Sequence, residues 1–139
     1  MSLSIPDTVT PQSGINALKN FLRGEPDVEF AVLGGSRAYG TAAPDSDWDI
    51  ALQLQRHGNS YMRNLARIER LWHDIAMILQ TEPDKIDLIN VPSTKLAMRE
   101  LIANHGRVLT APDSLPWLHF LQRTWRDLED CYWEELYGS

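Results

Sequence analysis

The stretch of sequence that decides the fold is FAVLGGSRAYGTAAPDSDWDIALQL, residues 30–54. A short apolar run ends in a glycine-rich turn, and a second apolar run begins at a pair of carboxylates, with ten residues between Ser36 and Asp47. If the two runs are neighbouring strands, the connection must loop back and place Ser36 beside Asp47 and Asp49. The spacing therefore predicts a site for phosphate and metal.

Length and composition are those of an ordinary soluble protein. The 139 residues are enough for one domain with a real core, so we expect a single domain over residues 1–139. The chain is 43% hydrophobic and has no apolar stretch long enough to span a bilayer, which predicts no membrane contact. Residues 1–14, MSLSIPDTVTPQSG, lack the basic leader and the apolar core of a secretory signal, so we expect a cytoplasmic location.

Net charge and cysteine content exclude two classes of protein. A net charge of -6 argues against a broad basic surface for nucleic acid, because neutralisation of phosphates dominates that affinity. We expect no direct nucleic-acid partner, and a bound nucleotide should be a small one carried with a metal. The one cysteine, Cys131, excludes an internal disulfide and a cysteine-rich metal site, and we expect it to pack in a helix.

Segments with strand-like and helix-like hydrophobic patterns alternate along the chain. The predicted strands are residues 28–33, 48–54 and 85–91, with a short edge strand at 107–110. The predicted helices run from residue 12 or 13 to 23, from 61 to about 80, from 93 or 94 to 105, and over about 115–137. Strands separated by helices predict an α/β fold, with a single mixed β-sheet flanked by helices.

Hydrophobic periodicity predicts which side of each element is buried. In the first strand, Val28, Phe30 and Val32 should share one face. In the second helix the predicted buried stripe is Tyr61, Leu65, Ile68, Trp72, Ile75 and Leu79. In the last helix it is Leu118, Leu121, Trp125, Leu128, Tyr132 and Leu136, which we expect to pack on the sheet or on a partner. The residues outside this stripe that are open to a partner are Trp117, Phe120 and Trp133.

Three aspartates are candidates for metal binding. Asp47 and Asp49 share a face because strand residues two apart point the same way, and Asp87 lies in a later apolar strand that can pair with theirs. Three ionised carboxylates this close repel one another unless a divalent cation lies among them. Mg²⁺ prefers such oxygen ligands together with substrate phosphates, and two ions can activate an attacking hydroxyl and stabilise the leaving oxygen. We therefore predict two Mg²⁺ ions.

The glycine-rich turn is the candidate phosphate site. Gly35 and Ser36 offer unobstructed backbone N–H groups and a hydroxyl donor at the start of a helical turn that Gly40 should close. Two further residues are nucleotide-binding candidates with an open alternative. Arg37 either contacts phosphate or is a solvated side chain on the helical turn. Ser46 either binds phosphate or fixes the turn before Asp47.

The segment GGSRAYGTAAPDSDWDI, residues 34–50, resembles the signature of the DNA polymerase β-like nucleotidyltransferase superfamily. That signature is Gly-Ser, ten residues and Asp-x-Asp, followed by a third Asp on a later strand. The resemblance implies a polymerase β-like fold in which Asp47 and Asp49 bind both metals. It also implies that Asp87 accepts the proton of the attacking hydroxyl, while Gly35 and Ser36 hold the nucleotide triphosphate.

The short chain most resembles the minimal nucleotidyltransferases that pair with HEPN-domain proteins as antitoxin and toxin. That resemblance implies transfer of AMP from ATP to a tyrosine of the HEPN RNase toxin within a hetero-oligomer, which neutralises the toxin. Tyr39 departs from the pattern, since relatives often have arginine there. A chain of this length leaves no separate domain to enclose a small acceptor, which also favours an acceptor with its own binding surface.

Two other functions remain open from the sequence. The same chemistry could serve a small-molecule acceptor such as an antibiotic. Alternatively, the protein could neutralise its partner by stoichiometric masking, with a nucleotide site that is only regulatory. Turn formation alone would account for the glycines. It would not account for an aspartate at position 49 inside an apolar run.

Overall fold

The computed structural model of the chain describes residues 11–43, 45–56 and 61–138. Its elements follow the predicted order, with strand and helix ends within a few residues of the predicted ones. The helices are α1 Pro11–Arg23, α2 Gly35–Tyr39, α3 Tyr61–Ile78, α4 Leu96–His105 and α5 Leu115–Tyr137. The strands are β1 Val28–Gly34, β2 Trp48–Leu54, β3 Ile86–Asn90 and β4 Arg107–Val108. Short 3-10 turns at Pro83–Lys85 and Val91–Ser93 flank β3.

The four strands form one mixed sheet in the order β3-β2-β1-β4. β1 runs antiparallel to both β2 and β4, and β2 runs parallel to β3. A parallel pair needs a long crossover connection, and α3 supplies it between β2 and β3. The predicted α/β fold with a single mixed sheet flanked by helices is confirmed.

Helices cover both faces of the sheet and bury a separate apolar cluster on each. The first cluster joins α1 and α3 to the face that carries Leu33, Ile50 and Ile86. The second joins α4 and α5 to the face that carries Phe30 and Val32. No helix in the described ranges combines the length and the apolar character that a membrane crossing requires.

The predicted faces of β1 are wrong at its first residue. Val28 packs against the first cluster, whereas Phe30 and Val32 belong to the second. The pairing register with β2 shifts between Val28 and Phe30. Such an irregularity breaks the two-residue alternation that the prediction assumed.

The predicted stripe of α3 holds only in its C-terminal half. Of the predicted stripe, Ile75 and Leu79 are buried and Trp72 is partly buried, but Tyr61 and Leu65 are exposed. Leu71, which lies outside that stripe, is fully buried. Ion pairs hold the middle of α3 against the loop between α1 and β1. The Arg67 guanidinium donates to Asp27 at 2.6 and 2.7 Å and to Glu25 at 2.9 Å. The hydrogen bonds to Asp27 are the main reason that the pKa of Arg67 lies above its ordinary value.

The predicted orientation of α5 is wrong. Trp117 and Phe120 are buried in the second cluster, and Thr124 is buried as well. Of the predicted stripe, Leu121 packs partly against that cluster, whereas Leu118, Trp125, Tyr132 and Leu136 are exposed. The Phe120 and Trp117 rings pack on Phe30, with centroids 5.3 and 5.2 Å away. α5 has two apolar stripes about 100° apart, one residue of helical rotation, and periodicity cannot choose between them.

The cysteine on α5 also departs from its prediction. Cys131 lies in the helix, as expected, but its side chain is exposed instead of packed. Every residue of α5 from 129 to 137 is exposed, because these last turns of the helix extend beyond the sheet.

Candidate functional site

The centre of the site is a pair of aspartates on adjacent parallel strands. Asp49 of β2 and Asp87 of β3 are direct register partners, and both belong to the face that α4 and α5 cover. Asp47 lies two residues before Asp49, just ahead of β2, and is exposed. Burial, then the charge on Asp87 and then that on Asp47, raise the pKa of Asp49 above its ordinary value. The structure thus brings Asp47 and Asp87 within electrostatic reach of Asp49.

The carboxylates do not form a closed chelating set by themselves. Within the described ranges, no group of three or more His, Cys, Asp or Glu side chains is arranged to hold a metal ion. The donor chemistry nevertheless fits a divalent cation, since like charges that disfavour ionisation of Asp49 are what a cation would neutralise. Mg²⁺ takes few protein carboxylates and completes its shell with water and substrate phosphates.

Gly35 brings the turn before α2 directly over Asp49. Its φ of +64° lies in the left-handed region, and a Cβ at this position would overlap the Asp49 carboxylate oxygen Oδ2. Ser36 follows at the exposed start of α2. Gly40 ends this helix in the left-handed conformation, and its N–H donates to the Ser36 carbonyl, which confirms the predicted turn.

Replacing Gly35 by alanine should damage both the fold and the site. The left-handed backbone costs a non-glycine residue about 1–2 kcal/mol, and the new methyl group must displace the Asp49 carboxylate. We expect a lower urea midpoint together with weaker ATP binding in calorimetry. Gly40→Ala is the matched control, because its φ is also positive but its Cβ would meet nothing within 4 Å. Equal loss of ATP affinity in both variants would contradict the role of Gly35.

Arg37 and Ser46 hold the loop that leads to Asp47. Arg37 is only 8% exposed, its guanidinium lies 4.2 Å from the Trp48 ring centroid, and Nη2 donates to the Ser46 carbonyl at 2.7 Å. Burial is the main cause of a lowered Arg37 pKa, opposed by the charge on Asp45. The solvated alternative for Arg37 is therefore wrong. A phosphate contact by this side chain stays a prediction.

Ser46 follows the second of its two predicted alternatives, in which it fixes the turn before Asp47. Its hydroxyl oxygen accepts a hydrogen bond from the Ala43 N–H at 2.9 Å, which fixes the turn before Asp47. Contact between Ser46 and phosphate stays a prediction. Together, Arg37 and Ser46 connect α2 to the start of β2, and so position Asp47 relative to Gly35.

A cavity of about 270 Å³ opens beside the aspartates. Asp49 and Asp87 lie at its polar edge, and its apolar floor is the sheet surface of Val32, Ala51 and Ile89. One wall comes from α4 and α2, through Met98, Leu101, Ile102, His105 and Tyr39. The sequence prediction missed this wall. The sequence signal for this wall is the short connection, residues 91–95, between the strand that carries Asp87 and α4. A connection this short keeps α4 next to that strand.

Removing the charge of Asp49 should stabilise the free protein. A pKa above the ordinary 3.8 means that Asp49 binds a proton more tightly in the folded state than in the unfolded state. The free energy of unfolding therefore falls as pH rises from 3.8 through the raised pKa. Asp49→Asn should therefore raise the urea midpoint near neutral pH in EDTA, and the gain should shrink as pH approaches 3.8. The exposed Asp113→Asn is the control. A gain that grows on acidification would contradict this sign.

These features define an α/β protein with a single mixed sheet, in which a glycine lies against the Asp49 carboxylate at the edge of a cavity. Residues 16–115 match the family described as Polymerase beta, Nucleotidyltransferase. The chain belongs to this nucleotidyltransferase family. A comparison with curated protein sequences gives no match.

Solved structures of toxin–antitoxin complexes contain chains with the same fold. One is a toxin–antitoxin with AMP-PNP, at 24% identity over 88% of this chain and 92% of that chain, with a TM-score of 0.66. Another is a tri-AMPylated Shewanella oneidensis HEPN toxin in complex with MNT antitoxin, at 21% identity over 91% and 93%, with a TM-score of 0.63. A third is the MntA-HepT toxin–antitoxin, at 21% identity over 90% and 92%, with a TM-score of 0.61.

Proposed function

We propose that this chain is a Mg²⁺-dependent adenylyltransferase and an antitoxin, which moves AMP from ATP to a tyrosine hydroxyl of a HEPN-domain RNase toxin. The observation that carries the proposal is the register pairing of Asp49 with Asp87 under the Gly35 turn, at the mouth of a cavity. Family membership supports nucleotidyl transfer. The similar chains in complexes with a HEPN toxin and with AMP-PNP support the partner and the nucleotide.

The residues of the site have distinct tasks in this reaction. Asp47, Asp49 and Asp87 would hold two Mg²⁺ ions, which supply positive charge to the triphosphate when bound. Gly35 and Ser36 position the triphosphate. Asp87 accepts the proton of the acceptor hydroxyl as that oxygen bonds to the α-phosphorus of ATP and the bond to pyrophosphate breaks. The products are the adenylylated tyrosine and pyrophosphate.

The shape of the cavity supports a nucleotide as ligand. Its apolar wall of Leu101 and Ile102 faces space that continues to the carboxylates of Asp49 and Asp87. A ligand with a flat apolar group beside its phosphates matches this combination, and ATP is such a ligand. Leu101 is exposed to solvent although it is a large apolar residue, which a ligand in the cavity would explain.

The remaining parts of the proposal concern the whole chain. We take residues 1–139 as one nucleotidyltransferase domain in the cytoplasm that forms a hetero-oligomer with its toxin. The four-stranded sheet supports the single domain, because α1 to α5 all pack around it. No direct contact with nucleic acid or membrane is part of the proposal.

Labelled ATP tests the proposal directly. The purified chain is incubated with Mg²⁺, a HEPN-domain protein from the same source, and ATP labelled at the α-phosphate or, separately, at the γ-phosphate. We expect the α-label on a tyrosine of the HEPN protein and no γ-label, because AMP transfer keeps the α-phosphorus. Absence of α-label on the HEPN protein would overturn the proposal. Label on an added antibiotic would instead support the small-molecule acceptor.

If the chain neutralises the toxin by stoichiometric masking, without AMP transfer, the aspartates are not needed for neutralisation. A variant with Asp47, Asp49 and Asp87 all replaced by alanine keeps the protein surface outside the site. Neutralisation of the HEPN RNase by this variant would support masking. Loss of neutralisation with retained binding would exclude it.

A further inference from the structure

The C-terminal half of α5 extends away from the domain. The helix has 23 residues, a length of about 34 Å at 1.5 Å per residue. Its buried residues, Trp117, Phe120 and Thr124, all lie in the first half, and Arg99 reaches only as far as Asp127, at 2.9 Å. Every residue from 129 to 137 is exposed. This end of the helix therefore has no packing partner among the described residues.

The projecting half carries a large exposed apolar surface, which we call the terminal aromatic face. Its members are Trp125, Tyr132, Trp133, Leu136 and Tyr137. The Trp133 and Tyr137 rings stack at 5.0 Å with an interplanar angle of 17°, so this part of the face is already ordered. Tyr132, Trp133 and Tyr137 are 58%, 47% and 75% exposed. Such a patch on a soluble protein marks an interaction surface.

The exposed rings of this face supply a large part of the area that a stable interface needs. At about 200 Å² for each aromatic side chain, the four exposed rings leave on the order of 450 Å² to solvent. Each partner in a stable interface contributes about 800 Å², so the rings alone supply more than half of that area. Leu136 and the stems of the acidic side chains add to the surface.

Charge identifies the kind of partner. Asp130, Glu134 and Glu135 lie beside the terminal aromatic face and Glu129 lies within it, and residues 127–139 contain no lysine or arginine. Within the described part of the chain, these four carboxylates form no ion pair. A second copy of the chain would bring four like charges against four, which disfavours self-association through this helix. The complementary surface is an apolar groove with a basic rim.

We propose that residues 125–137 of α5 dock, as a helix in a groove, on a partner protein with apolar floor and basic edges. This inference rests on the proposed function only for the identity of the partner, the HEPN-domain RNase. An enzyme that binds an RNA backbone carries basic side chains to neutralise phosphates. The acidic helix matches that property, and its aromatic side chains supply the anchors typical of interface hot spots.

Two variants of this face and one matched control test the inference. The aromatic variant is Tyr132→Ala/Trp133→Ala/Tyr137→Ala, and the charge variant is Glu134→Lys/Glu135→Lys. The control is Tyr61→Ala/Met62→Ala, which removes equally exposed apolar side chains from α3. Affinity for the purified HEPN protein is measured by calorimetry at low and high salt. Affinity of each free variant for ATP reports whether the domain is intact.

We expect the aromatic variant to bind the HEPN protein about a hundredfold more weakly, because hot-spot aromatics each contribute 2 kcal/mol or more. The charge variant should lose about tenfold at low salt and less at high salt, since salt screens exposed charges. The control should bind like the wild type, and ATP affinity should be equal in all four proteins. Wild-type affinity of the aromatic variant would overturn the inference. So would absence of a complex with the wild-type chain, or a dimer of the free chain that the aromatic variant dissociates.

The same samples separate this inference from the proposed function. If the HEPN protein binds through α5 but receives no AMP, the docking surface stands and the proposed reaction fails. If the aromatic variant binds and labels the HEPN protein like the wild type, the reaction stands and the docking surface fails.

Discussion

The Asp47→Ala/Asp49→Ala variant is expected to lose AMP transfer by about a thousandfold or more, because metal ions contribute several kcal/mol to stabilisation of the transition state. Both carboxylates are the proposed metal ligands: Asp47 lies just before β2, and Asp49 lies in β2 against Gly35. The rate is measured by transfer of α-labelled AMP to the HEPN protein at saturating ATP. The fold should persist, since removal of like charges beside Asp87 relieves repulsion.

The control for this variant removes two exposed carboxylates outside the site, Asp84 and Asp113. Asp84→Ala/Asp113→Ala should label the HEPN protein at the wild-type rate. Equal labelling by the Asp47→Ala/Asp49→Ala variant would remove the catalytic assignment. Asp87→Asn separates the general base from nucleotide binding, because loss of a base costs about 10²–10⁴ in rate. Its Mg²⁺-ATP affinity then shows how far Asp87 also acts as a ligand.

Phe120→Ala is expected to lower the free energy of unfolding by about 3–5 kcal/mol, the usual cost of removing a buried aromatic ring. Phe120 has no exposed surface and packs between the rings of Phe30 and Trp117. Urea denaturation of the free chain, followed by circular dichroism, measures the effect. Loss of this much stability can leave the variant partly unfolded, since small domains have only about 5–15 kcal/mol in total.

Trp125→Ala on the same helix is the control for Phe120→Ala. Trp125 is exposed, so its removal should change stability by about 0.5 kcal/mol or less. A larger loss from Trp125→Ala than from Phe120→Ala would restore the stripe that hydrophobic periodicity predicts. The pair of variants thus measures the rotation of α5 about its own axis.

Several features of the site could be predicted because they are local in sequence. A strand, a glycine turn and a strand that begins with Asp-x-Asp constrain one another over some twenty residues, and their backbone conformations follow from residue type. The left-handed Gly40 and the positions of β1 and β2 agree with the prediction. The adjacency of Asp87 was also expected, and the register with Asp49 confirms the placement. The roles of these residues in catalysis stay predictions.

Features that depend on how a helix rotates against the sheet could not be predicted. Either apolar stripe of α5 satisfies a 3.6-residue period, and only the fit of Trp117 and Phe120 against Phe30 selects one. For Arg37 the sequence leaves open a phosphate contact or a solvated side chain, and only the structure shows that its guanidinium packs on the Trp48 ring and donates to the Ser46 carbonyl. Both contacts come from residues on a different element.

By itself, the sequence determined the order of helices and strands, the glycine turn and the aspartates that lie beneath it, because each follows from local backbone preferences and short spacings. Only the tertiary structure decided that α4 forms one wall of the cavity beside Asp49 and Asp87. It also decided that α5 buries one apolar stripe and exposes the other. Those outcomes depend on which surfaces meet across the sheet. The hydrophobic effect is non-directional, so burial of either stripe is favourable. The shape of the surface that packs against the helix decides which stripe is buried.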